Sequence, residues 1–284
     1  PCIDRPAYTL RAIVHGTAAD PFWQGLRAAA VQSARDLRVA LDFPLYDAFD
    51  PARMARDIRA AAAAHVGAPG AADGGGDRPD ALVVTIPSPA VEAAVAEAVA
   101  HGVPVFGMNS GYRVAEIAGA LGFVAMDERL GGAAAAEEFL LAFGGGAGTG
   151  NSTGNLTRAA FINHEKGNGA LDARREGLVA GLALGDQAVD EIVVDLAADG
   201  ASTVGVQIQL ALEGCPYDAV LLGGGSLLET ATAALAASGC ALERGTLLGS
   251  FDTGGAAYAA LATGRLAFAI SQQSHLQGAL SVLL

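Results

Sequence analysis

The chain alternates short apolar runs with longer helix-like segments from one end to the other. Strand-like runs fall at Leu10–Val14, Val39–Pro44, Ala81–Ile86, Val103–Met108, Ala118–Val124, Ala159–Asn163, Ala188–Asp195, Ala219–Leu222, Thr246–Phe251 and Leu266–Ser271. Helix-like segments lie between them at 21–36, 51–65, 89–101, 131–143, 169–184, 202–213, 226–238 and 254–263. Most of the apolar runs lack clean alternation, the pattern of strands covered on both faces. Strand–helix alternation of this kind implies parallel sheets flanked by helices. Ten strands are too many for an ordinary open sheet, so two sheets and two lobes are expected.

The 284 residues suffice for two lobes with real cores, and 52% hydrophobic against 17% charged residues marks globular chain. Part of the Ala and Gly excess reads as base bias of the gene. The formal net charge of −13 argues against a nucleic-acid surface or an anionic membrane surface, both of which want clustered Lys and Arg. No uninterrupted apolar stretch is long enough to span a bilayer. No signal peptide is visible at Pro1, and the abrupt start reads as a mature or excised piece.

Aromatic residues are only 6% of the chain, so placed aromatics are informative. Asp20-Pro21-Phe22-Trp23 follows the first strand and opens the first helix, and Trp23 is the only tryptophan. Pro21 fixes the entry of the turn and Asp20 can cap the helix. In an open α/β sheet that handover lies at the carboxyl ends of the strands, where ligands bind. Flat ring faces there suit the apolar side of a sugar ring.

The cysteines are Cys2, Cys215 and Cys240, with no spacing that suggests zinc. Cys215 precedes one strand and Cys240 the next, so the two thiols either bridge at a shared sheet edge or are two buried small residues. Two Gly-rich stretches, 67–77 and 144–154, read as surface insertions, with one sequon at Asn151 inside the second and another at Asn155 just after it.

Catalytic signatures are weak. The turn after the first strand, His15-Gly16-Thr17-Ala18-Ala19-Asp20, is not the Gly-x-Gly-x-x-Gly of a dinucleotide site. Leu222-Gly223-Gly224-Gly225-Ser226 is a Gly-rich turn able to cradle an anion, without the Lys of a P-loop. The five histidines lie in different contexts, and only His164, beside Glu165, falls near a strand end of interest. No catalytic residue, cofactor or metal is expected.

Six segments in order carry a resemblance. They are Asp20-Pro21-Phe22-Trp23, Gly102-Val103-Pro104-Val105-Phe106-Gly107-Met108-Asn109, and Met126-Asp127-Glu128-Arg129-Leu130-Gly131-Gly132. The others are Asp172-Ala173-Arg174-Arg175-Glu176-Gly177-Leu178, Leu248-Gly249-Ser250-Phe251-Asp252, and Ile270-Ser271-Gln272-Gln273 with Leu276-Gln277-Gly278. Together they resemble the type I periplasmic binding proteins of the ribose- and galactose-type. The resemblance implies an α/β fold of two Rossmann-like lobes, parallel sheets flanked by helices, joined by a multi-strand hinge. It divides the chain into 1–125 with 273–284, and 126–272.

It further implies non-catalytic binding of a sugar or sugar-like molecule in an interlobe cleft that closes by hinge motion, in an extracytoplasmic, monomeric carrier delivering to an ABC-type membrane transporter. The alternative is a ligand-sensing extracellular module of a larger receptor. A gene repressor core is disfavoured, since no helix-turn-helix precedes Leu10 and the charge is wrong. The ligand set implied is Asp20, Asn109, Arg174, Asp252 and Gln272 for hydroxyls, with Phe22, Trp23 and Phe251 as ring faces. Planar groups suit a sugar, because each buried hydroxyl needs a partner. Each residue also has a structural use. Asp20 can be a cap only, one of Phe22 and Trp23 a core plug, Asn109 turn chemistry, Phe251 core, and Gln272 a hinge residue. Arg174 can pair on the surface with Glu176 or Glu165. The chain departs from the family at Gly223-Gly224-Gly225, where Asn-Asp is usual, at Ala198, where an aromatic wall is common, and at Met126, where a small polar residue is usual. The last returning strand of the second lobe is expected to be missing.

Overall fold

A computed structural model of the protein describes Pro6 and residues 8–66, 78–144, 156–183, 188–240 and 245–283. Of the stretches expected as Gly-rich insertions, 67–77 and 144–154, all but Gly144 lies outside the described residues, as do both sequon asparagines. The chain forms two compact units, Pro1–Met126 with Gln273–Leu284, and Asp127–Gln272.

The first unit holds β1 (Thr9–Ile13), α1 (Pro21–Leu37), β2 (Ala40–Asp42), α2 (Pro51–Val66), β3 (Ala81–Val84), α3 (Pro89–Ala100), β4 (Val105–Met108), α4 (Tyr112–Ala115), β5 (Gly122–Val124) and α10 (Ser274–Leu280). Its sheet runs β2-β1-β3-β4-β5, with every pairing parallel. The β3 strand, Ala-Leu-Val-Val, is buried throughout, as an unalternating apolar run requires between two layers of helices. One helical layer centres on Met54, Ile58, Val91 and Val95, the other on Trp23, Leu26 and Ala30.

The second unit holds α5 (Glu128–Gly144), β6 (Ala159–Asn163), α6 (Gly169–Leu182), β7 (Val189–Val193), α7 (Leu196–Ala211), β8 (Ala219–Leu222), α8 (Leu228–Ala237), β9 (Leu247–Phe251), α9 (Gly255–Ala262) and β10 (Phe268–Ile270). Its sheet order, β10-β9-β8-β6-β7, is again all parallel and repeats the winding of the first. The second unit's main core gathers Ile162, Val204, Ile208, Val220, Leu222 and Leu248. Cys215 and Cys240 form a disulfide, with Cα atoms 5.3 Å apart, so the bridging alternative is the one the fold takes.

Local chemistry sets the helix ends. Asp20 caps α1 and Pro21 occupies its first turn, while Asn168 caps α6. Helix α7 begins at Leu196, earlier than the 202 expected. Asp195 caps the first turn, and Gly200 (φ 73°, ψ 161°) interrupts the helix just before the expected start. A glycine at that backbone angle hides the first turn from any periodicity reading. The four-residue α4 was not expected, being too short to carry a period, and the segment expected as helix from 226 opens with a 3-10 turn at Gly225–Leu227.

Glycines set the closest helix contacts. A Cβ on Gly177 would lie 2.0 Å from the Arg129 carbonyl oxygen, and one on Gly132 would lie 2.0 Å from that of Arg174. Helices α5 and α6 therefore pack backbone against backbone. In the first unit α10 packs on α1 the same way, through Gly278 against the Leu26 carbonyl.

Candidate functional site

In an open parallel sheet the residues that leave the carboxyl ends of the strands are the ones presented to a ligand. In the first unit the chain leaving β1 carries His15, whose Nδ1 lies 2.8 Å from the Thr85 hydroxyl and whose backbone N–H donates to the same oxygen. Trp23 meets His15 edge-on at 4.7 Å and Phe22 at 5.1 Å; Phe49 meets His15 at 5.8 Å. Trp23 is only 5% exposed and belongs to the core with Leu26 and Met108, whereas Phe22 is half-buried at its edge. Gly16 lies against the indole, where a Cβ would fall 2.1 Å from Trp23 Cδ2. Asp20 Oδ1 accepts from the Phe22 N–H at 2.9 Å, the capping geometry.

Asn109 leaves β4 with a positive φ of 59°, a left-handed conformation that Asn tolerates. Its N–H donates to the Val124 carbonyl, and its Nδ2 donates to Gln277 Oε1 at 3.2 Å. Gln277, on α10, was not in the expected set. Its signal was its place in the last crossing segment.

The second unit brings four of the expected residues into one cluster. Asp252 leaves β9 with φ 71° and donates its N–H to the Ile270 carbonyl. Its Oδ1 accepts from Gln272 Nε2 at 2.6 Å and its Oδ2 from the Gly225 N–H at 3.0 Å. Gln272 leaves β10 and is itself buried. Phe251 is fully buried, and the Arg174 guanidinium lies over its ring at 4.3 Å. Arg174 is 4% exposed. Its Nε donates to Glu128 Oε2 and its Nη1 to the Gly223 carbonyl.

Arg174 takes neither of the surface pairings that were open to it. Glu176 pairs with Arg129 on the surface, and the partner of Arg174 is Glu128, a residue sequence reasoning missed as a site residue. Glu128 opens α5 and Arg174 lies in the first turns of α6, with the rest of α5 and all of β6 between them in sequence, and the glycine contacts of α5 with α6 bring them together. Burial pushes the Glu128 carboxyl up from its ordinary range; Arg174 pulls it back, and Asp252 and Asp127 add to the rise. Glu165 contributes further negative charge near Arg174.

His164 leaves β6 beside Gly224, whose Cβ would fall 2.8 Å from its Cε1. Burial, aided by the nearby Arg174, pushes the imidazole down to about 4, so it is neutral at physiological pH. The Gly-rich turn is filled from within, because the Gly225 N–H already holds Asp252. Ala198, in the first turn of α7, is exposed and offers no ring. Among the described residues no group of three or more His, Cys, Asp and Glu side chains is arranged to hold a metal ion.

The sequence matches the family described as a periplasmic binding protein domain over residues 12–284. The chain belongs to the periplasmic binding protein family. Its two five-stranded parallel sheets flanked by helices are the type I form of that fold. Among solved structures, a carbohydrate transporter from Acidothermus cellulolyticus 11B, in complex with myo-inositol, is 25% identical. The match covers 98% of this chain and 85% of that one, with a TM-score of 0.80. A periplasmic sugar-binding protein of an ABC sugar transporter from Legionella pneumophila is 21% identical over 97% of this chain and 93% of that one, with a TM-score of 0.75. An ABC transporter solute-binding protein from Burkholderia graminis C4D1M, in complex with D-arabinose, is 16% identical over 98% and 87%, with a TM-score of 0.76. These two share the fold. No match was found among curated proteins.

Proposed function

We infer that this periplasmic binding protein binds a sugar or sugar-like polyol without transforming it, acts as a single chain outside the cytoplasm, and delivers its ligand to an ABC-type membrane transporter. The observation that carries the reading is the Arg174–Asp252–Gln272 cluster at the strand ends of the second unit. A carboxylate and an amide held by each other and by backbone are preorganised acceptors and donors for ring hydroxyls. In the first unit the Asp20–Phe22–Trp23 turn and Asn109, also at strand ends, are read as ligand residues. Phe22 supplies the ring face, and Trp23 and Phe251 support it and Arg174 from below. The myo-inositol complex of the Acidothermus protein supports the ligand class. The disulfide supports an oxidising compartment, since such bonds persist outside the cytoplasm.

Calorimetric titration with pentoses, hexoses, cyclitols and nucleosides tests the class. With a ligand in hand, Asp252→Ala is expected to lose about 2–4 kcal/mol of binding, because the hydroxyls it serves are left unpaired. Unchanged affinity would make Asp252 a turn residue only.

A further inference from the structure

The Glu128 carboxylate has one oxygen engaged and one not. Oε2 accepts from Arg174, while Oε1 is buried and has no hydrogen-bond partner. The side chain as a whole is 9% exposed. A buried acceptor without a donor is costly, and the cost is removed by anything that brings a hydrogen to it.

The charges around it are uneven. Arg174 is the buried cation of the cluster, and its Nε and Nη1 are engaged by Glu128 and the Gly223 carbonyl. Against it stand Glu128 and Asp252, with Glu165 and Asp127 close enough to act on them. His164 is neutral. Lys166 is exposed, and Arg129 is exposed and paired with Glu176. The turn that would cradle an anion, Gly223 to Gly225, already holds the carboxylate of Asp252 through the Gly225 N–H.

We propose that Glu128 makes this face a charge filter: it neutralises Arg174, keeps Oε1 for a hydrogen donated by the ligand, and so selects neutral or amino-bearing polyols against sugar acids and sugar phosphates. The inference rests on the polyol-binding reading above. A hydroxyl or ammonium donates to Oε1; a carboxylate or phosphate oxygen only accepts and meets two carboxylates. Like charges brought together at a desolvated site are strongly disfavoured.

Matched pairs test it on the intact chain at neutral pH by calorimetry: D-galactose with D-galacturonate and D-glucose with D-glucuronate, alongside D-glucosamine and myo-inositol. Each acid is expected to bind at least about a hundredfold more weakly than its neutral parent. Glu128→Gln, checked for folding by circular dichroism, releases Arg174 from its counter-charge and is expected to narrow that gap by about tenfold or more. The wild-type ratio decides by itself if the variant does not fold. An acid that binds as well as its parent, or a folded Glu128→Gln protein with an unchanged gap, overturns the filter while leaving a sugar site standing. Absence of binding by every member removes the polyol reading itself, and the filter with it.

Discussion

The two units share one winding and differ in what they place at its strand ends. Asn109 after β4 and Asp252 after β9 occupy the same topological position, and both have positive φ. Each donates its N–H to the neighbouring edge strand, at Val124 and at Ile270. Asp20 and Asn168 cap corresponding helices with the same bond to the second residue on. Gly278 against Leu26 matches Gly132 against Arg174. The backbone solution is therefore common, but the side chains on it are not. Where the first unit has Leu26 in an apolar layer with Trp23, the second has Arg174 in a buried ion pair. The first unit offers rings backed by core, the second a charged and amide-lined cluster. The fold constrains where such residues stand, and leaves what they are to the ligand.

The largest test of that contrast removes one half of the buried pair. Glu128→Ala leaves Arg174 buried without its counter-charge and is expected to cost about 3–5 kcal/mol of stability. Gln277→Ala in the first unit breaks a neutral bond and is expected to cost about 1 kcal/mol. Denaturant unfolding of both variants measures the difference, and equal losses would mean the two units are tied alike.

A second test uses pH. His164 has a depressed value, about 4, against an ordinary imidazole near 6.5. The unfolded chain therefore takes up a proton first as pH falls, and stability is lost between about 6.5 and about 4. The loss is bounded at about 3 kcal/mol. Glu128, raised rather than lowered, contributes with the opposite sign, so the difference between wild type and His164→Gln is the quantity to measure. A pH dependence identical in the two proteins would show that His164 titrates normally.

A third test addresses the glycine seams. Gly278→Ala and Gly132→Ala each place a Cβ against a backbone carbonyl, and each is expected to cost about 1–3 kcal/mol. The two should part on ligand affinity. Gly132→Ala displaces the backbone of Arg174 itself and weakens binding as well, whereas Gly278→Ala displaces Leu26 and affects stability alone. Equal effects on binding would erase the distinction drawn between the units.

Much of the fold was legible because each apolar run ends in recognisable turn chemistry. Asn109 and Asp252 each follow an apolar strand directly in the sequence, whereas the positive φ that both adopt is visible only in the structure. The Glu128–Arg174 pair was not legible, since its members lie 46 positions apart and only the close approach of α5 and α6 joins them. The orientation of an aromatic next to a strand end was equally hidden. Phe251 and Trp23 look like ring platforms in sequence, but a residue at that handover turns either outward or under the neighbouring helix, and both are turned in.

Trp23 gives the smallest expected effect and the finest probe of the first unit. As the only tryptophan it reports alone, and at 5% exposure its emission should be that of a buried indole with or without ligand. A ligand over the half-buried Phe22 would reach Trp23 only through ring edges, the 5.1 Å contact with Phe22 and the 4.7 Å contact with His15. The expected signal is a modest change in intensity with little movement of the maximum. Phe22→Ala should then weaken binding by about 1 kcal/mol or more through loss of the stacking face, while Trp23→Phe, which keeps a ring in the core, should leave affinity nearly unchanged. A large shift of the emission maximum on binding, with affinity lost in Trp23→Phe and kept in Phe22→Ala, would exchange the two roles. It would make the indole the face that meets the ligand, and Phe22 the residue behind it.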